Sequence, residues 1–231
     1  MRLLLLPFLL AAAPGIATAQ ATPTTTPPTE YRTWVGIQAG YSRHELSGSE
    51  VDFKMRIYNA GYGPLQGTNH PLEWFTVGAV VRRQLHSVLF LQGELNYVRK
   101  GGQMTDTGFY DQDPIVINYL QLPVLLRLAV PVAGPVGVHL EGGAALNLAL
   151  NEREINQRYY APANVYTHNG AILSPAVGGG LDWRQGRHAY SLNFRYSPDT
   201  HDFFQREFMG TAYTLRHSGY TATLGVLFGQ P

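Results

Sequence analysis

Along most of this chain apolar residues recur at every second position, the period of a β-strand. The stretch AYSLNFRYSP, residues 189–198, carries Tyr190, Leu192, Phe194 and Tyr196 on one face and Ser191, Asn193 and Arg195 on the other. Eight segments share the pattern. TWVGIQAGYS sets Val35, Ile37, Ala39 and Tyr41 against Trp34, Gly36, Gln38 and Gly40. WFTVGAVV sets Phe75, Val77, Ala79 and Val81 against Trp74, Thr76, Gly78 and Val80, and VLFLQGELNYV sets Leu91, Leu95 and Tyr97 against Gln92, Glu94 and Asn96. In NYLQLPVLLRLAV, Leu126 and Leu128 flank Arg127. In VGVHLEGGAALNLAL, Val138 and Leu140 oppose His139 and Glu141. SPAVGGGLDW opposes Leu181 and Trp183 to Asp182, and GYTATLGVLF opposes Leu224 and Phe228 to Thr223.

The connections between these segments alternate in length. Long stretches such as RKGGQMTDTGFYDQDP, NEREINQRYYAPANVYTHNG and SPDTHDFFQREFMGTAYT are separated by short turns near 84–87, at VPVAGP and at RQGR. An even strand count, long loops at one end and short turns with both termini at the other describe an outer-membrane barrel. The expected fold is therefore all-β: an eight-stranded antiparallel up-and-down transmembrane β-barrel with its apolar faces toward lipid. A secreted soluble ligand-binding barrel is the alternative, and it would need the same leucines turned inward. The charges within the strands share a face with glycines, which favours a polar lumen.

The ends of the chain and its composition narrow the setting. MRLLLLPFLLAAAPGIATAQ has one basic residue, an apolar run from Leu3 to Ala13 and a small-x-small site at Ala17-Thr18-Ala19, so residues 1–19 read as a secretory signal peptide. Residues 20–31, rich in Pro and Thr, read as a periplasmic leader, and 32–231 as the barrel. The absence of Cys excludes a disulfide framework and a lipid-modified cysteine. A net charge of +1 with mixed signs gives no basic field for nucleic acid. Beyond the signal no apolar run is long enough for a membrane helix, so any span must be made by strands.

Two stretches carry a more specific likeness. LFLQGELNYVRKGG (89–102) holds Glu94, Leu95, Tyr97, Lys100 and Gly101, and INYLQLPVLLRLAV (117–130) holds Tyr119, Leu120 and Pro123, followed by GGAALNLAL (142–150). This succession resembles the central strands of the PorT-like outer-membrane β-barrel family of Bacteroidota. The resemblance implies a barrel in the bacterial outer membrane and no particular activity. The C-terminal YTATLGVLF also resembles the signal that delivers such chains to the barrel-insertion machinery.

In a barrel of eight strands side chains fill the interior. Glu94, Arg127, Glu141, Asp182 and Arg195 are then expected to face the lumen and pair, which makes an open porin a poor fit. Tyr41, Phe75, Tyr97, Trp183, Tyr190, Tyr196 and Phe228 lie toward strand ends and are expected to form two aromatic girdles in contact with outer-membrane lipid. Other candidates for chemistry are weaker. His86-Ser87 and His217-Ser218 are adjacent residues, which point apart on a strand, and a solvated or locally satisfied state is expected for both histidines. Asp199-Thr200-His201-Asp202 would serve a hydrolase at the barrel mouth only if Asp199, His201 and a third polar group converged, and a solvated polar loop is the expected state. Asp111 and Asp113 offer too few oxygens for calcium.

No catalytic residue, cofactor or metal site is expected. The long loops carry Tyr58, Tyr62, Tyr110, Tyr159, Tyr160, Tyr166, Phe203, Phe204 and Phe208, which suit either binding or a cap over the barrel. The expected function is a monomeric barrel with a structural or surface-binding role for an unidentified extracellular ligand. A surface hydrolase is the runner-up.

Overall fold

In the computed structural model the described residues are 33–53, 55, 68–105, 115–150, 166–168, 170–208 and 210–230. The signal peptide, the leader, Tyr58, Tyr62, Tyr110, Tyr159, Tyr160, Asp111 and Asp113 lie outside them, as do the side chains of Tyr166 and Phe208.

The periodic segments fold as long antiparallel strands: β1 (Thr33–Ser47), β2 (Thr68–Gln84), β3 (Leu89–Thr105), β4 (Ile115–Ala133), β5 (Val136–Ala149), β7 (Ala171–Gln185), β8 (His188–Tyr196) and β10 (Thr211–Gln230). Each pairs with its neighbour in that order, and β1 pairs with β10 from Thr33 opposite Gln230 to Ser47 opposite Arg216. The sheet is thereby closed into an eight-stranded ring and has no free edge within the barrel. Two short strands absent from the sequence reading, β6 (Tyr166–His168) and β9 (Phe204–Phe208), lie in what was expected to be irregular loop. There β9 pairs with the first residues of β10, and β6 pairs with β9, so the ring's last strand grows a small sheet beyond the loop-side mouth.

Turns at the end that holds both termini are short: Leu85–Val88, then Gly134-Pro135 and Gly186-Arg187, with Gly134 and Gly186 at positive φ. Glycine adopts that conformation without a Cβ clash, as two-residue hairpins require. All the long connections sit at the opposite end.

Side-chain placement is inverted relative to a soluble protein. Ile37 (67% exposed), Leu140 (70%) and Leu224 (68%) stand on the outer wall, whereas Arg127, Lys100 and Gln92 are fully buried inside. This reversal excludes the soluble barrel, whose leucines would fill its centre, and it defines a wall solvated by lipid. The apolar core is correspondingly split. Trp34, Val80, Ala189 and Leu227 close the turn end of the lumen, and Leu46, Val51, Ile115, Ile117, Tyr119, Ile172, Phe203, Phe204 and Leu215 pack together at the loop end.

One face assignment is corrected. Alternation puts Trp74 on the lumen side, opposite Phe75, yet it is exposed beside Phe75, with ring centroids 5.4 Å apart. The cause is a bulge. Between the pairs Pro71–Gly102 and Val77–Tyr97, β2 has one more residue than β3, which re-aims the side chains within the irregularity.

Candidate functional site

The lumen is built by inward positions of every barrel strand, and its centre is a continuous network of ion pairs. Arg195 on β8 reaches Glu94 on β3 through Nη1 (2.9 Å to Oε2) and Nη2 (2.7 Å to Oε1). It also reaches Glu141 on β5 through Nε (2.9 Å) and Nη2 (2.7 Å). Arg127 on β4 donates to Asp182 on β7 at 2.6 Å, to Asn193 at 3.0 Å and to His139 Nδ1 at 2.8 Å, and lies 3.4 Å from Glu141. The five residues singled out from the sequence are therefore in contact with one another, across four strands and the β3 wall. Glu94 further accepts from Gln38 (2.8 Å), Gln92 (2.6 Å) and Asn96 (2.8 Å), which occupies both of its oxygens with several donors.

A sixth member lies just beyond the apolar run of β2. Arg82, two positions beyond Val80 on the inward face of β2, donates to Gln92 at 2.7 Å and to Asp182 at 3.3 Å. With it, the buried guanidinium groups of Arg82 and Arg127 and the partly buried one of Arg195 meet three buried carboxylates, and the centre of the lumen is charge-balanced. Buried charges persist only when paired in this way.

A second cluster lies at the loop end of the lumen. The segment Ser197–Phe203 leaves β8 and runs alongside β10, with Ser197 N to Gly219 O (3.0 Å), Asp199 N to His217 O (2.8 Å) and Phe203 N to Leu215 O (3.0 Å). This carries Asp199 inward. Its Oδ1 accepts from Lys100 Nζ at 3.0 Å and Ser174 Oγ at 2.7 Å, and its Oδ2 is paired with His217 Nδ1 at 3.0 Å. Burial alone would raise the Asp199 carboxyl. The Lys100 ammonium, and then His217 and Ser174, outweigh it and hold the group far below the usual carboxylate range.

His217 is stacked on Phe203, centroids 4.1 Å apart, and meets Tyr119 edge-on at 5.9 Å. His44 fills the room that a side chain on Gly219 would need. Asn147 joins the two clusters' walls, accepting from Gln121 at 2.8 Å and donating to Ser174 at 2.8 Å.

One expectation is corrected here. Asp199 is not part of a solvated loop but is buried beside His217 of β10, while His201 is exposed and bonded to Thr200 and does not converge with it. His217 itself is buried, because β10 continues its inward alternation past the membrane span. At the other end, His86 and Ser87 are exposed in a turn, where the hydroxyl meets Nδ1 of the same turn at 3.0 Å. Among the described residues no group of three His, Asp or Glu side chains could hold a metal ion.

Of the seven aromatics named from the sequence, Tyr41, Phe75, Tyr97 and Tyr196 form the loop-side belt, joined by Tyr220, whose ring lies 4.9 Å from that of Tyr196. Trp183, Tyr190 and Phe228 form the turn-side belt, with Trp183 and Tyr190 cross-strand neighbours at 6.2 Å. Two aromatic belts around an apolar outer wall, a polar lumen and unequal loop lengths define a transmembrane β-barrel.

Residues 23–205 match the family described as outer membrane protein beta-barrel domain, and the chain belongs to that family. Its place is the bacterial outer membrane. Similar solved structures have the same fold. The outer membrane protein AlkL, determined in lipid bilayers, is 12% identical with a TM-score of 0.56, covering 92% of this chain and 96% of its own. OprG from Pseudomonas aeruginosa is 13% identical with a TM-score of 0.50, covering 85% and 95%. No curated protein matches the chain in sequence.

Proposed function

We propose that this protein is a closed barrel with a structural or surface-binding role, acting through its four extracellular connections and not by conducting solutes. The observation that carries the reading is the double block of the lumen. Arg195, Arg127 and Arg82 are locked to Glu94, Glu141 and Asp182 at the centre, and the apolar cluster of Phe203, Phe204, Leu215 and Tyr119 stands above the Lys100–Asp199 pair. A porin of this size would need that interior vacated. Planar-bilayer recording of the refolded protein is expected to show no stable conductance step. A reproducible open channel would overturn the closed-lumen reading.

The same geometry argues against the hydrolase. A catalytic carboxylate–imidazole pair must reach substrate. Asp199 and His217 are fully buried, with Lys100 and Ser174 on the carboxylate and Phe203 across the imidazole. Phe203 and Phe204 serve the cap, so surface binding falls to the connections' outer residues.

Finer assignments belong to the same proposal. The Glu94-Leu95-x-Tyr97 strand and the leucine-rich strand with Pro123 support a place among PorT-like barrels. The N-terminal pattern supports cleavage after Ala19, and YTATLGVLF supports delivery by the barrel-insertion machinery. Closure of the ring by β1 and β10 within one chain supports a monomer surrounded by lipid.

A further inference from the structure

The bulge in β2 builds a feature on the outer wall that the barrel itself does not need. It turns Trp74 out of the lumen, next to Phe75, and the Arg99 guanidinium of β3 lies over the indole, 4.3 Å from the ring centroid. Arg99 Nε donates to Asn118 Oδ1 at 2.7 Å, and the hydroxyl of Tyr97 donates to the same oxygen at 2.9 Å. The guanidinium is thus fixed in orientation by a ring beneath it and an amide beside it. Stacking leaves the in-plane N–H groups of Nη1 and Nη2 free to donate.

Charge pairing sets Arg99 apart from its neighbours. Arg43 faces Glu73 on the same wall at 3.6 Å, and Arg216 is bonded to Asp202. Among the described residues Arg99 has no carboxylate partner. Its position supplies one from outside the protein. Arg99 lies two residues beyond Tyr97 on the same face of β3, about 6–7 Å further along the strand, and Tyr97 belongs to the belt whose rings sit at headgroup level. A cation just outside that belt meets the phosphate layer of the outer leaflet.

We infer that Arg99, stacked on Trp74 and braced by Asn118, is a phosphate-binding site for a lipid of the outer leaflet. The partner is a phosphate monoester or diester on a lipid, gripped by the two free edges of the guanidinium. The inference rests on the outer-membrane placement, which also orients the loop end outward.

The test is native mass spectrometry of the detergent-purified barrel titrated with diphosphoryl lipid A, with phosphate-free lipid A, and with inorganic phosphate as competitor. Heat-modifiable migration confirms folding of each variant. Arg99→Gln is expected to weaken retention of diphosphoryl lipid A by about tenfold, the effect of losing one charge-assisted contact pair. Trp74→Leu should weaken it less, Arg99→Lys should restore part of it, and Arg216→Gln should leave it unchanged. Wild-type protein should retain the phosphate-free lipid poorly, a result that depends on no variant. Equal retention of the two lipids, wild-type retention by Arg99→Gln, or displacement of the lipid by equimolar inorganic phosphate would each overturn the proposal.

Discussion

Arg195 on β8 donates from a single nitrogen, Nη2, to Glu94 on β3 and to Glu141 on β5, at 2.7 Å in both cases. β8 and β3 lie four places apart in the ring of eight, with β5 between them, so one side chain ties opposing walls together. The rest of the lumen is organised around that tie: the second oxygen of Glu141 faces Arg127, and Arg127 shares Asp182 with Arg82. In a membrane barrel, whose apolar residues face lipid, this polar lattice takes the place of the hydrophobic core.

Removing the central cation should therefore be costly. Arg195→Met leaves two buried carboxylates without their shared partner, a loss of about 3–5 kcal/mol. Neutralising them together should recover much of it, so Arg195→Met/Glu94→Gln/Glu141→Gln is expected to be more stable than the single variant. Urea unfolding in phospholipid vesicles, followed by tryptophan fluorescence, measures both. A single variant as stable as wild type would mean that the lattice is loosely hydrated rather than locked.

The lipid-facing wall can be tested at its midpoint. Leu224 lies four residues from Tyr220 and four from Phe228 on the same face of β10, equidistant from the two aromatic belts, and it is 68% exposed. Leu224→Arg should destabilise the inserted barrel by about 2–4 kcal/mol, the cost of a cation at the bilayer midplane. The same substitution at Tyr220, in the outer belt, should cost less. Vesicle-based unfolding of the two variants reads the difference, and equal costs would mislocate the midplane.

The cap makes a separate prediction. Phe203 is buried among Leu215, Tyr119 and His217 and lies across the imidazole. Phe203→Ala should create a cavity costing about 3–5 kcal/mol locally, while the ring of eight strands persists. The expected outcome is faster proteolysis within 197–210 on intact cells, with heat-modifiable migration retained. Unchanged proteolysis would show that the segment is held by its backbone pairing to β10 alone.

Much of this was legible in the chain because strand period and membrane inversion act on every residue alike. Once Tyr190 and Tyr196 face lipid, Arg195 must face inward, and the same step places Glu94, Glu141, Asp182 and Arg127. Lys100 and Arg82 were reachable by the same rule, since each continues an inward face already traced through Glu94 and Val80. They were missed because the strands extend further than their apolar runs. Trp74 was unreachable, because a one-residue bulge changes the face of a side chain and leaves no local signature. Asp199 was misread for a different reason: a polar loop stretch normally meets water, and only the return of the chain along β10 brings that carboxylate to Lys100.

That returning carboxylate makes the cap sensitive to acid, with a sign fixed by its environment. Asp199 in the folded protein binds its proton far less readily than at its ordinary value of 3.8, because Lys100 and His217 favour the charged form more than burial opposes it. The unfolded chain is protonated first as pH falls. The group's contribution is therefore complete above about pH 5, begins to fall near the ordinary value, and continues to fall as pH drops toward the folded one. Asp199→Asn should lower cap stability at neutral pH and flatten this acid limb. Proteolysis of the 197–210 segment with an acid-active protease between pH 2.5 and 6 checks both. An acid limb equally steep in Asp199→Asn would assign it to other carboxylates and remove Asp199 from the anchoring role.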